Sequence, residues 1–257
     1  MNGRLLLVLL CIAFTPLASQ AQVQKVVITS DYYAQPRVLV LHTLNSTGKD
    51  IVGYTIIIQH KNPDGTLDKG GRTENTSDFL SGLITAQMAK DRAGQQNSGN
   101  NALNAGNGIF VAGETRDMTL TGINSGSELD ITAGVVFYAD GTYDKQDEDA
   151  FDRMLTARQG QLREMKEADE LIRNALADPT NDHPIAAVLT ELNKRHAEAM
   201  DKPGQEFFPM DLSNLRNMQR PQKGTTERER LTQYVDEQEK RVELMMPHCH
   251  LEIVLKQ

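Results

Sequence analysis

Tryptophan is absent from the 257 residues, and aromatic side chains make up only 5% of them. The core must therefore be built mainly from aliphatic side chains and methionine. Cysteine is nearly absent too, with two in the chain. One of them, Cys11, lies in an N-terminal apolar run, so no disulfide framework can hold the fold. Basic charge is scarce: 27 Lys and Arg face 35 Asp and Glu, a net charge of −8. No run of five basic residues occurs, so nothing offers a cationic face to a phosphate backbone, and nucleic acid is not an expected partner. Catalytic signatures are missing as well. Gly122-Ile123-Asn124-Ser125-Gly126 lacks the spacing of a nucleophile elbow. Ser46-Thr47-Gly48-Lys49 matches S-x-x-K by letter, but it falls in a turn and its companion motifs are absent. There is no P-loop or dinucleotide fingerprint. The expectation is a protein that is not an enzyme and takes no cofactor.

The N-terminus, MNGRLLLVLLCIAFTPLASQAQ, has its own grammar. Arg4 precedes an apolar run from Leu5 to Phe14 that is too short to span a bilayer, and Pro16 breaks it. Ser19 and Ala21 supply the small residues of a cleavage site, so residues 1–21 read as a secretory signal peptide cut after Ala21. Leu10 precedes Cys11 where a lipoprotein needs a small residue, which argues against lipidation. No later stretch is long and apolar enough for a membrane span. The mature chain is expected to be exported, periplasmic or extracellular, with Cys249 as its lone thiol.

Residues 22–145 read as strands. Lys25–Thr29, Arg37–Leu44, Ile51–His60, Ile109–Val111, Thr115–Thr121 and Leu129–Ala139 are short runs rich in β-branched residues between turn signals. "NPDGTLD" (62–68) and "YADGTYD" (138–144) share Asp-Gly-Thr and read as two hairpin turns of one type. Residues 78–90 carry Phe79, Leu80, Leu83, Ile84 and Met88 at helical spacing, with Asp78 as a cap. The Gly/Asn-rich stretch 93–108 has little to bury and reads as a mobile loop.

Near 145 charged residues become dense and the apolar period changes from two to three and four. Residues 146–246 read as helices. In the first, Phe151, Leu155, Leu162, Met165, Ile172 and Leu176 form one stripe with Arg158 and Asp169 interposed. Asp147, Glu148, Asp149 and Asp152 open it and read as a solvated cap. Pro184 starts a second helix with Ile185, Val188, Leu189 and Leu192 inward. Asp211–Met218 forms a short one with Leu212, Leu215 and Met218 inward. Thr226 and Glu229 have capping-box spacing before a last helix with stripe Leu231, Val235, Val242 and Met245. Pro247 ends it and opens a tail, 247–257.

The start of that tail concentrates the one candidate ligand set, His248, Cys249 and His250, beside Met245 and Met246. Soft sulfur with imidazole suits copper. An extended 249–255 would put both histidines on one side and the sulfur on the other, short of a closed four-ligand site. The other reading makes Cys249 a small packed hydrophobe.

"LVLHTLNSTGKDIVGYTIIIQH", "VAGETRDMTL" and "ITAGVVFYADGT" together resemble the immunoglobulin- or fibronectin-like sandwich domains of exported bacterial proteins. The likeness covers about half the chain. It implies an antiparallel β-sandwich over 22–145, followed by a helical hairpin or small bundle over 146–246, and it implies a compartment but no activity. The core Trp and paired cysteines of antibody-type domains are missing. The functional expectation is an exported binding or structural module of the envelope or periplasm. Its helices would meet a protein partner or else close on their own chain, with metal binding at His248, Cys249 and His250 as the alternative.

Overall fold

The computed structural model describes residues 25–34, 37–94, 108–122, 128–200, 210–220 and 223–249. Strands come first: β1 (Val26–Tyr33), β2 (Val38–Asn45), β3 (Ile51–Lys61) and β4 (Leu67–Asp78). Helix α1 (Leu80–Gly94) interrupts them, and β5 (Thr115–Thr121), β6 (Leu129–Tyr138) and β7 (Tyr143–Lys145) follow. Then come α2 (Glu148–Ala177), α3 (Pro184–Met200), α4 (Met210–Met218), α5 (Glu227–Met245) and a 3-10 turn at Met246–His248. The chain is mixed, mainly β and then α. The predicted signal peptide, most of the predicted loop 93–108, and His250 with the rest of the tail lie outside the described residues.

All strand pairs are antiparallel. One sheet has the order β1-β2-β5 and the other β4-β3-β6-β7. Strict alternation in β2 turns Leu39, Leu41, Thr43 and Asn45 inward. They face Ile51, Tyr54, Ile56 and Ile58 of β3 and Val136 and Tyr138 of β6, so one apolar core lies between the two sheets. Phe110 is fully buried there, yet the strand expected at 109–111 reduces to a single bridge with Ile51. Two strands escaped the sequence reading. β4 (LDKGGRTENTSD) has no apolar alternation because it is an edge strand held by main-chain pairing. β7 has only three residues.

The two Asp-Gly-Thr turns are alike. Asp64 Oδ1 accepts from the Thr66 amide and hydroxyl, and Asp140 Oδ1 accepts from those of Thr142. Gly65 and Gly141 supply the positive φ, 82° and 83°.

The outer face of the four-stranded sheet is covered as well. Val52, Ile57, Val135 and Phe137 pack under Leu80, Leu83 and Ile84 of α1, Phe151, Met154 and Leu155 of α2, and Val242 and Met245 of α5. Two glycines permit this approach. A Cβ on Gly134 would lie 2.5 Å from Ile57 Cδ1 and 3.3 Å from Ala150 Cβ, and one on Gly53 would lie 2.7 Å from Arg158 Nη2. Both sit beside irregularities in the β3–β6 register.

Farther along α2, Ala168 and Ile172 join Ile185, Val188, Leu189 and Leu192 of α3, Leu215 of α4, and Leu231 and Val235 of α5 in a separate helical core. The stripe residues named here for α2, α3, α4 and α5 are buried within their own chain. Among the described residues the large apolar side chains left exposed, Val27, Tyr33 and Leu67, all lie on strands. The capping box forms as expected: Thr226 Oγ1 accepts from the Glu229 amide, and the Glu229 carboxylate accepts from the Thr226 amide.

Candidate functional site

β7 pairs only with Val135, Val136 and Phe137 of β6. The chain then turns away. The amides of Gln146 and Asp147 both donate to the Gly134 carbonyl, at 2.8 and 2.9 Å, and α2 begins. The remainder of β6, Leu129–Ala133, pairs on one side with β3 and has no strand on its other side among the described residues. β1 is likewise an edge, bonded among the described strands to β2 alone. These two edges face each other across a groove of about 240 Å³.

Val26, Val27 and Ile28 form one wall of the groove and Ile131, Ala133 and Val136 the other. Lys25, Thr132, Tyr138, Asp144 and Gln146 supply its polar groups. Drug-sized ligands fill enclosed pockets of roughly 300–1,000 Å³, and this one is smaller and only partly enclosed. Tyr138 donates its hydroxyl to Asp144. Burial and then that carboxylate push the phenol upward, away from any nucleophilic form. At the same end Lys49 bonds Asp140 at 2.8 Å. Burial would raise the Asp140 carboxyl, but Lys49 and Thr142 outweigh it and hold it at about 2.

A second cluster ties the sheets to the helices. Arg158, 1% exposed, donates from Nε to Asp78 Oδ2 at 2.8 Å and from Nη2 to Asp78 Oδ1 at 2.9 Å. Nη2 also reaches the Val52 carbonyl at 3.2 Å, and the guanidinium lies 4.4 Å from the Phe137 ring centre. Nη1 is buried with no hydrogen-bond partner. Asp78 in turn caps α1, accepting from the Leu80 amide. At the head of α2, Asp147 accepts from the Ala150 amide and from both Nη atoms of Arg72 at 2.8 Å. Arg72 first, then the amide, keeps its carboxyl low against the opposing effect of burial. Glu148 pairs with Lys145 at 2.7 Å. The acidic cluster is thus a cap and a clamp.

The expected ligand set falls as follows. Cys249 is 1% exposed, and its thiol lies 3.6 Å from the Arg158 carbonyl, to which it donates. Burial pushes the thiol up to about 11. Burial and then the Arg158 charge lower His248 to about 4. Among the described residues no group of three His, Cys, Asp or Glu side chains gathers as a metal site. The Cys249 sulfur is built into the core under α2.

The sequence reading missed His42, which stands on the outer face of the three-stranded sheet with Nδ1 2.7 Å from Asp117 and Nε2 3.2 Å from Asp31. Hydrogen bonds to those two carboxylates, Asp117 first, raise its pKa. Register alone brings the three together, from three strands. The groove was missed for a different reason, although its signal was present: Asp140-Gly141-Thr142 ends one strand and Asp147 caps a helix, leaving β7 little length between them.

No family model matches the chain, and no curated protein does. Among solved structures it is similar to a hypothetical protein of Peptoclostridium difficile 630, at 14% identity over 52% of this chain and 89% of that one. The TM-score is 0.23, too low to carry any argument about fold or function. Among the described residues no helix is long and apolar enough to cross a membrane.

Proposed function

We propose that this is an exported, non-enzymatic binding module that accepts an extended polypeptide segment in the groove between β1 and β6. The observation that carries the reading is the early departure of β7, which among the described residues leaves Leu129–Ala133 without a partner strand on that side, beside a groove of mixed aliphatic and polar lining. An edge of this kind recognises peptides by main-chain hydrogen bonds, with alternate side chains entering the trough. The strand orders β1-β2-β5 and β4-β3-β6-β7 support an immunoglobulin- or fibronectin-like sandwich in which β7 is the truncated last strand. The predicted signal peptide places the module in the periplasm or outside the cell. With the helical stripes buried, the contact surface moves from the helices to the sheet edges.

Benzoylphenylalanine at Thr132, an exposed position on the groove wall, tests the reading when irradiated in cells of the native host. A cross-link mapped to an extended aliphatic segment, from whichever chain, is the expected result. Adducts confined to β1 and β7 would overturn the proposal.

A further inference from the structure

We infer that His42 is a proton-operated clasp on the edge strand β1, and that it sets how firmly the β1 wall of the groove is held. The clasp stands on its own geometry. Its regulation of the groove rests on the strand-accepting reading above.

His42 lies on β2, the central strand of the three-stranded sheet, and each ring nitrogen meets a carboxylate from a different neighbouring strand. Nδ1 is 2.7 Å from Asp117 of β5, and Nε2 is 3.2 Å from Asp31 of β1. An ionised carboxylate only accepts, so both contacts hold only when both nitrogens carry a proton. A neutral ring has one N–H. It keeps the shorter contact, to Asp117, and turns a lone pair toward Asp31. The tie to β1 is then replaced by repulsion.

The charged groups that face the ring among the described residues are these two carboxylates. Thr29 stands opposite His42 on β1, and Thr115 and Thr119 flank Asp117 on β5. Lys25 and Tyr33, four positions before and after Thr29, are the next titratable groups along β1, at roughly 13 Å. Hydrogen bonds to Asp117 and then Asp31 raise the His42 pKa above its ordinary 6.5. The clasp is therefore fully shut below pH 6.5 and opens as pH rises through the raised value.

β1 is a strand that one such tie can govern. Every side chain on it is at least partly exposed, so its own burial holds it weakly. Main-chain pairing does most of the rest. Arg37 and Asn45 bond toward β5, so by alternation His42 and Leu44 bond toward β1, and their partners Thr29 and Val27 give their amides to that ladder. Val27 also lies on the groove wall, between Val26 and Ile28.

Proton NMR titration and amide exchange test the inference, on the protein and on its Asp31→Asn variant, at low ionic strength where exposed charges are least screened. In the parent the His42 ring should titrate above 6.5. Across the same midpoint the Val27 and Thr29 amides should lose at least threefold protection, after correction for the intrinsic pH dependence of exchange. Ile56–Ile58 of β3 should stay level. Asp31→Asn supplies a side-chain amide that can face either form of the ring, so β1 protection should become independent of pH and His42 should titrate lower. A His42 midpoint at or below 6.5, flat β1 protection in the parent, or the same pH dependence in the variant overturns the clasp. The Thr132 cross-link, repeated in cells buffered on either side of the midpoint, tests the regulation. Its yield should fall above the midpoint in the parent and not in Asp31→Asn. A yield that ignores pH overturns the regulation, and the absence of a peptide adduct at either pH overturns the groove reading while the exchange result still decides the clasp.

Discussion

Replacing Asp78 with Asn should destabilise the protein far more than replacing its partner, Arg158, with Met. The two residues share a forked ion pair, yet their surroundings differ. The Arg158 side chain is 1% exposed, whereas that of Asp78 is 32% exposed. Asp78→Asn leaves a guanidinium buried over Phe137 with one nitrogen already unpartnered and its counter-charge gone. Breaking a buried pair in this way costs about 3–5 kcal/mol. At roughly 2–4 °C per kcal/mol for a chain of this size, the melting temperature should fall by about 6–20 °C. Arg158→Met removes the buried charge and its orphaned nitrogen while keeping most of the packing volume under Gly53 and Met154. Asp78 can then rehydrate and still cap α1. Exchanging a buried ion for a hydrophobe is often close to neutral, so a loss of about 1 kcal/mol or less is expected. Urea denaturation followed by far-UV circular dichroism, with the double variant included, measures both. If Arg158→Met is as damaging as Asp78→Asn, the desolvation reasoning is wrong.

Further tests reach other parts of the molecule. Thr226→Ala should cost about 1 kcal/mol in the same urea assay through loss of the capping box. Gly134→Ala should cost about 1–3 kcal/mol, because its Cβ would drive into Ile57 and Ala150; a neutral outcome would mean that α2 lifts off the sheet freely. His248 is held at about 4, below its ordinary value of 6.5, so its folded form prefers to be neutral. The corresponding stability is complete above pH 6.5 and is lost as pH falls toward 4, by no more than about 3 kcal/mol. The urea midpoint should therefore fall less steeply over that window in His248→Gln than in the parent. Cys249, buried and pushed up to about 11, should react with iodoacetamide at least a hundredfold more slowly in the native protein than in urea. Fast native labelling would show that the thiol is open to another chain.

Elements with one wet and one dry face were legible in the sequence. β2 alternates, α2 and α5 carry continuous stripes, and the cap pair Thr226 and Glu229 announces its helix. Edge strands were not legible. β4 owes its existence to hydrogen bonds with β3 and buries too little to leave a pattern. Arg158 reads in sequence as a polar interruption of an apolar stripe. Its partner lies 80 positions away, and only the fold reveals that the interruption is a buried tie between sheet and helix. Cys249 invited a metal because it sits between two histidines in the chain. In the fold its sulfur turns toward the carbonyl of Arg158, 91 positions away in the chain. The groove depended on the length of one strand, set by a turn and a cap that were each visible but whose joint effect needs the sheet.

The four-stranded sheet is dry on both faces, and this limits how the gene can be cut. A fragment ending near 147 would present Val52, Ile57, Val135 and Phe137 to water as one sticky plate, and a fragment starting there would lose the floor on which α2 and α5 rest. Neither half is a portable module, so recombination could move these two sheets between proteins only together with the helices.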